Sequence, residues 1–261
     1  MCWGSDWDGA LGNGARYSDY IGDGLDLDGY YYKDADDFDS ELGDALIAVD
    51  FGTVDGTNLT AKSLACGYVY TCALLSDDTI KCWGYNSKGQ LGQGNTATIG
   101  DGAGEMGNAL VAVDLGTGLT AKSVLCGDEH TCAVLSDATI NCWGYNRKGD
   151  LGQGNTDAIG DEVGEMGDNL APVNLGTNRT VLTVFIPSDG YSTCALLDDY
   201  SLKCWGGRTG SGMLGNERAA YFDDYIGDGM EVMDNGDQVV TGVTEMGDNL
   251  VPVNLGTGRT V

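Results

Sequence analysis

Six of the nine cysteines fall in pairs ten residues apart: Cys72 with Cys82, Cys132 with Cys142, and Cys194 with Cys204. Each pair flanks a short turn sequence. A three-residue turn centred on Asp77 sets Cys72 opposite Cys82, with both side chains on one face of a hairpin. That arrangement suits a cross-strand disulfide, and its recurrence points to an oxidising compartment. The competing reading is reduced cysteine packed as a small hydrophobe. Cys2 stands where Cys82 does but lacks a partner strand, while Cys66 and Cys126 form a third class, free or paired with each other. No Cys-x-x-Cys occurs and His130 is the only histidine, which disfavours a zinc site.

Carboxylates recur as regularly. Ile-Gly-Asp is followed by Glu-(Met/Leu)-Gly-(Asp/Asn) in four copies: Ile21 with Glu41, Ile99 with Glu105, Ile159 with Glu165, and Ile226 with Glu245. Acids facing each other across a glycine-bearing loop offer hard oxygen ligands. Asp101, Asp161 and Asp228 are therefore candidate calcium ligands, together with Asp23, Asp26 and Asp28 in the densest acidic insert. That insert misses the EF-hand pattern, because Gly24 stands where the first aspartate belongs. A solvated acidic loop, or aspartates that cap backbone N–H groups, are the alternatives. Beyond calcium, no cofactor is implied. Two Asn-x-Thr acceptors, Asn58 and Asn178, lie in loops and are candidate glycosylation sites.

Catalytic chemistry finds little footing. A Ser-His-Asp or Cys-His arrangement has only His130 to use, at a strand-start position shared with Tyr70 and Ser192. No carboxylate pair is singled out for glycoside hydrolysis, and no helix follows the glycine-rich loops as phosphate binding requires. The chain is not expected to be an enzyme.

These residues ride on a repeat. Cys82 to Thr96, CWGYNSKGQLGQGNT, returns as CWGYNRKGDLGQGNT at Cys142 to Thr156, and degraded copies begin at Cys2 and Cys204. Within one repeat four short runs rich in Val, Leu and Thr stand between Gly, Asp and Asn: Leu110–Gly116, Leu119–Cys126, His130–Leu135 and Ala138–Trp143. They read as strands, with Ser136-Asp137-Ala138 as a tight hairpin connection. Four antiparallel strands per repeat make a propeller blade, and an array of such units buries its apolar faces between neighbours. The expected fold is an all-β propeller of four-stranded blades over residues 1–261. Its repeats start near 2, 82, 142 and 204, with inserts at 17–40 and 221–244. Trp83, Trp143 and Trp205 recur and are expected to fill the space between blades.

The run His130-Thr-Cys-Ala-Val-Leu-Ser-Asp followed by Cys142-Trp-Gly-Tyr-Asn-Arg-Lys-Gly-Asp-Leu-Gly resembles the repeat of the regulator of chromosome condensation family, in its cysteine-containing form found in secreted and bacterial members. The resemblance covers essentially the whole chain and implies the propeller fold. It does not single out a function, since the family includes a nucleotide exchange factor and enzyme inhibitors.

With 13 basic and 40 acidic residues the chain carries a formal charge of −27, which disfavours nucleic acid as a partner. No apolar stretch is long enough to span a bilayer. The half-repeat carrying Thr-Cys-Ala-Leu occurs three times and the Cys-Trp-Gly half four times, which leaves one blade short of two strands. Three readings follow: a piece of a longer chain, strands supplied by a neighbouring molecule, or a small closed ring. The resulting expectation is a secreted or cell-surface, disulfide-stapled structural or adhesive module that self-associates head to tail. The alternative is a soluble propeller that grips another protein, as inhibitor members of the family do.

Overall fold

The computed structural model describes residues 4–5, 10–12, 20–21, 48–187, 190–207, 225–228, 230–232, 238–240 and 245–254. Short antiparallel pairs open the chain: β1 (Gly4–Ser5) with β2 (Tyr20–Ile21), and β3 (Thr53–Val54) with β4 (Thr57–Asn58). Three sheets of one design follow. The first holds β5 (Ala61–Cys66), β6 (Tyr70–Leu75) and β7 (Ile80–Gly84). The second holds β8 (Ala121–Cys126), β9 (His130–Leu135) and β10 (Ile140–Gly144), and the third β11 (Val181–Phe185), β12 (Ser192–Leu197) and β13 (Leu202–Gly206). A last pair joins β14 (Met230–Val232) to β15 (Gln238–Val240).

The middle strands β6 and β9 are buried from end to end. Each has a strand on both edges and a neighbouring blade against its faces, so a near-continuous run such as His-Thr-Cys-Ala-Val-Leu satisfies it. The connections from β6 to β7 and from β9 to β10 are three-residue hairpin loops. Leu75 N donates to Thr79 O at 2.9 Å and Asp78 N to Leu75 O at 3.0 Å, and Asp77 Oδ1 accepts from the Thr79 hydroxyl at 2.7 Å. The third loop residue takes a left-handed backbone, with φ of +65° at Asp78, +67° at Ala138 and +63° at Tyr200.

The fourth strand differs from the expected continuous run. Ile99 bridges Gly84, and Val113 N donates to Ile80 O at 2.8 Å, so both ends of β7 have an outer partner. Residues 100–109 lie between these two contacts. The blade's outer strand is therefore split in two by the Ile-Gly-Asp to Glu-Met-Gly-Asn segment, and Leu110 to Leu115 form an extended stretch rather than a full ladder. The same split recurs at Gly144–Ile159 with Val173 on Ile140, and at Gly206–Ile226 with Val253 on Leu202.

The core lies between blades, not within them. Leu74, Ile80 and Leu91 of the first blade pack with Ala121, Val124 and Trp143 of the second. Val134, Ile140 and Leu151 of the second pack with Val181, Val184 and Trp205 of the third. A three-stranded sheet has two apolar faces and cannot cover either alone, which is why the unit repeats. Among the described residues no helix is long and apolar enough to cross a membrane.

Candidate functional site: the blade junctions

The three expected cysteine pairs are each disulfide-bonded, Cys72 to Cys82, Cys132 to Cys142 and Cys194 to Cys204, with Cα atoms 4.1 Å apart. They stand directly opposite each other in the β6–β7, β9–β10 and β12–β13 registers, and all six are buried. Cys66 and Cys126 are free thiols at the ends of β5 and β8. Cys126 Sγ donates to Ala65 O at 3.4 Å, and burial pushes its thiol up to about 12. Cys2, Asp23, Asp26 and Asp28 lie outside the described residues.

His130 is part of a junction between blades. Its Nε2 lies 3.0 Å from Thr193 Oγ1 of the next blade, and burial drives its pKa down to about 4, so the ring is neutral. Tyr70, one repeat earlier, donates its hydroxyl to His130 O at 2.5 Å. Strand-start residues thus link consecutive blades through buried hydrogen bonds. The tryptophans do the same: Trp83, Trp143 and Trp205 donate Nε1 to Ala10 O, Gln90 O and Asp150 O of the preceding repeat, at 3.0, 3.1 and 3.2 Å.

Every letter of the Glu-Met-Gly-Asp element has a place at these junctions. Glu105 Oε2 accepts from Gly100 N and Gly102 N, both at 2.8 Å, and Glu165 Oε2 accepts from Gly160 N and Glu162 N at 2.8 and 2.9 Å. Backbone capping is present, and glutamate shares it with the aspartates. Met166 and Met246 pack against Gly92 and Gly152, whose α-carbons also face Trp143 and Trp205. A Cβ at either glycine would meet the indole Nε1 at 2.8 or 2.7 Å, closer than atoms pack, so Leu-Gly after Gln90 or Asp150 requires the glycine. Gly167 N donates to Asp114 O at 3.1 Å. Asp168 then accepts from Thr117 N at 2.6 Å and from the Thr117 hydroxyl at 2.7 Å; Asp248 accepts likewise from Thr177 at 2.8 and 2.6 Å. These bonds hold both aspartates below the usual carboxylate range.

Asp101, Asp161 and Asp228, the carboxylates considered for calcium, lie in the same loops, the first two half-buried and Asp228 buried. Among the described residues no three His, Cys, Asp or Glu side chains converge as a metal site. Asp161 is raised above its ordinary value, by desolvation first and then by the charge of Glu165. Asn58 and Asn178 are exposed, Asn178 with φ of +58°.

The sequence reading did not single out the buried lysines. Lys81 Nζ donates to Phe51 O at 2.8 Å and Gly107 O at 3.0 Å, and Lys203 Nζ to Leu175 O and Gly247 O, both at 2.9 Å. Each ties a blade edge to the two stretches that cross it. A lysine inside an otherwise apolar Ile/Leu-Lys-Cys-Trp strand was the available signal.

Comparison with known proteins agrees with the repeat design. The Regulator of chromosome condensation (RCC1) repeat matches residues 61–90 and 121–150. The ultraviolet-B receptor UVR8 of Arabidopsis thaliana is 28% identical over 156 residues, covering 59% of this chain and 31% of the receptor. The protein RCC2 homolog of Danio rerio is 34% identical over 94 residues, covering 34% of this chain and 17% of the relative. The chain therefore spans less than a third of the length of these relatives. Among solved structures, yeast RCC1 (Prp20) with Kap60 bound is similar over 71% of this chain and 36% of that one, at 18% identity and a TM-score of 0.47. The ectodomain of the Arabidopsis thaliana receptor kinase ACR4 is similar over 57% and 39%, at 23% identity and a TM-score of 0.34. Recurring motif and repeated blade together make this chain a β-propeller repeat protein, two of whose repeats, at residues 61–90 and 121–150, match the regulator of chromosome condensation repeat.

Proposed function

We propose that this chain is a binding module rather than a catalyst, and that it serves as a secreted or cell-surface structural element that joins to other copies through its blade faces. One observation carries the self-association. Leu64 on β5 is 47% exposed, whereas its counterparts Val124 and Val184 are 7% and 6% exposed against the preceding blade. Ala61 is likewise exposed where Ala121 and Val181 are buried. On the far side of the third blade Leu196 and Leu202 are half-buried, while the equivalent Leu74, Val134, Ile80 and Ile140 are buried. The exposed β5 part of the first blade's face is thus the complement of the half-buried part of the third blade's far face, and joining them would repeat the junction already made twice inside the chain. Each internal junction holds one stretch equivalent to 110–115. Residues 48–51 of one copy and 250–253 of the other would compete for that place, so one must yield on joining.

The compartment reading rests on the three buried disulfides, which persist where the surroundings are oxidising. Glycans on exposed Asn58 and Asn178 would add to it. Imaging of native particles tests the proposal: continuous fibres are expected, and Leu64→Lys is expected to leave single molecules with unchanged secondary structure. Monodisperse particles at high concentration would count against it. A second reading, a soluble module gripping another protein, is favoured by Tyr68, 77% exposed in the connection from β5 to β6.

A further inference from the structure

The two near-identical loops 86–94 and 146–154 differ at Ser87/Arg147 and at Gln90/Asp150. The second difference lies at a blade junction. Gln90 and Asp150 are both buried, Asp150 at 1% exposure, and each gives its backbone carbonyl to the next blade's tryptophan. Gln90 Oε1 accepts from Lys88 N at 2.9 Å, and Asp150 Oδ2 accepts from Lys148 N at 3.2 Å. The other terminal atom, Gln90 Nε2 or Asp150 Oδ1, finds no partner among the described residues. One repeat therefore seats a neutral amide in this place, and the next seats a carboxyl in the same seat.

We propose that Asp150 is a proton-operated catch between the second and third blades: protonated, it matches Gln90 and the junction stays shut, whereas ionised, it leaves a negative charge buried beside Trp205 and loosens loop 146–154. Among the described residues the charged and titratable groups around it are few. From its own loop comes Lys148, whose Nζ lies 4.3 Å from the centroid of the Tyr191 ring. Tyr191 itself precedes β12. From the following stretch come Asp228, whose backbone abuts Gly149, and Glu245, which caps Gly227 N at 2.9 Å. Two of these are acids and one is a lysine. Desolvation, only partly offset by Lys148 and by backbone N–H groups, raises the carboxyl to about 7. A raised acid stabilises the folded form fully below its unfolded value near 4, and that contribution is lost as pH rises through about 7.

The measurement is amide exchange by mass spectrometry on the intact disulfide-bonded chain, corrected for intrinsic rates, from about pH 5 to about pH 8. Opening of residues 146–154 and 202–206 is expected to rise about tenfold or more over that range, while residues 86–94 and 140–144, which meet at the Gln90 junction, serve as the internal control and stay level. Asp150→Gln should flatten the response, and Gln90→Asp should transfer it to the earlier junction. Equal responses at the two junctions of the unaltered protein would overturn the proposal, as would an Asp150→Gln chain that keeps the rise. Because the two junctions are compared within one molecule, the unaltered chain alone decides the matter if either variant fails to fold.

Discussion

Asn141 occupies the strand position at which Lys81 and Lys203 reach one carbonyl of the preceding blade and one of their own blade's outer loop. Its side chain is too short for that span, and its Oδ1 has no partner among the described residues. Asn141→Lys is therefore expected to bring an ammonium to Leu115 O and Gly167 O and to raise stability by about 1 kcal/mol, net of the burial that lowers the lysine pKa elsewhere in the repeat. Urea denaturation of the two proteins checks it, and a lower midpoint for the lysine variant would show that the middle blade has closed the pocket. The disulfides belong to the same scale. Replacing Cys132 and Cys142 by alanine removes a cross-link between two directly opposed, fully buried residues. The expected cost is about 2–4 kcal/mol, read as a lower denaturation midpoint for the double variant than for the oxidised wild type. Equal midpoints would mean that the pair acts only as packed hydrophobes.

At the scale of the element, the latch between Thr117 and Asp168, and its twin between Thr177 and Asp248, tie each Leu-Gly-Thr stretch to the loop of the following repeat. Their carboxyls are depressed, so the latches are in place above the unfolded value near 4 and release as pH falls through the folded value. Thr117→Val removes the hydroxyl bond and keeps the shape. It is expected to weaken protection of residues 114–118 at neutral pH and to make the acid release of that stretch begin at higher pH, which exchange measurements report. This element also shows what the sequence makes legible. Cys-Trp-Gly and Thr-Cys-Ala-Leu strands, their hairpins and the cysteine pairing follow from local alternation and spacing, because neighbouring strands are close in the chain. The roles of Glu105, Met106 and Asn108 depend on partners in other repeats or on a loop that folds back, so periodicity reveals that they recur without revealing why. The fourth strand departs from the continuous run for the same reason: Leu110 to Leu115 alternates like a strand, but the segment 100–109 displaces it from full pairing.

At the scale of the whole molecule, apolar faces and net charge oppose each other. Joining two copies as proposed would bury Ala61 and Leu64 against Leu196 and Leu202, yet each copy brings a formal charge of −27. Like charge at that level slows encounter and weakens the joined state, and salt screens it over about 10 Å at 0.1 M. Self-association is therefore expected to strengthen as sodium chloride rises from about 0.02 M to about 0.5 M, which is the reverse of the trend for a contact held by opposite charges. Light scattering at constant protein concentration measures this, with Leu64→Lys as the control that should stay small at every salt concentration. The acidic loops sharpen the test. If Asp101, Asp161 and Asp228 gather calcium, a few millimolar of that ion will drive association beyond what sodium achieves at matched ionic strength, and chelator will reverse the excess. If screening alone operates, the two salts will coincide. Association that falls with salt would reject the apolar blade face as the joining surface, because burial of Leu64 and Ala61 loses nothing to added ions.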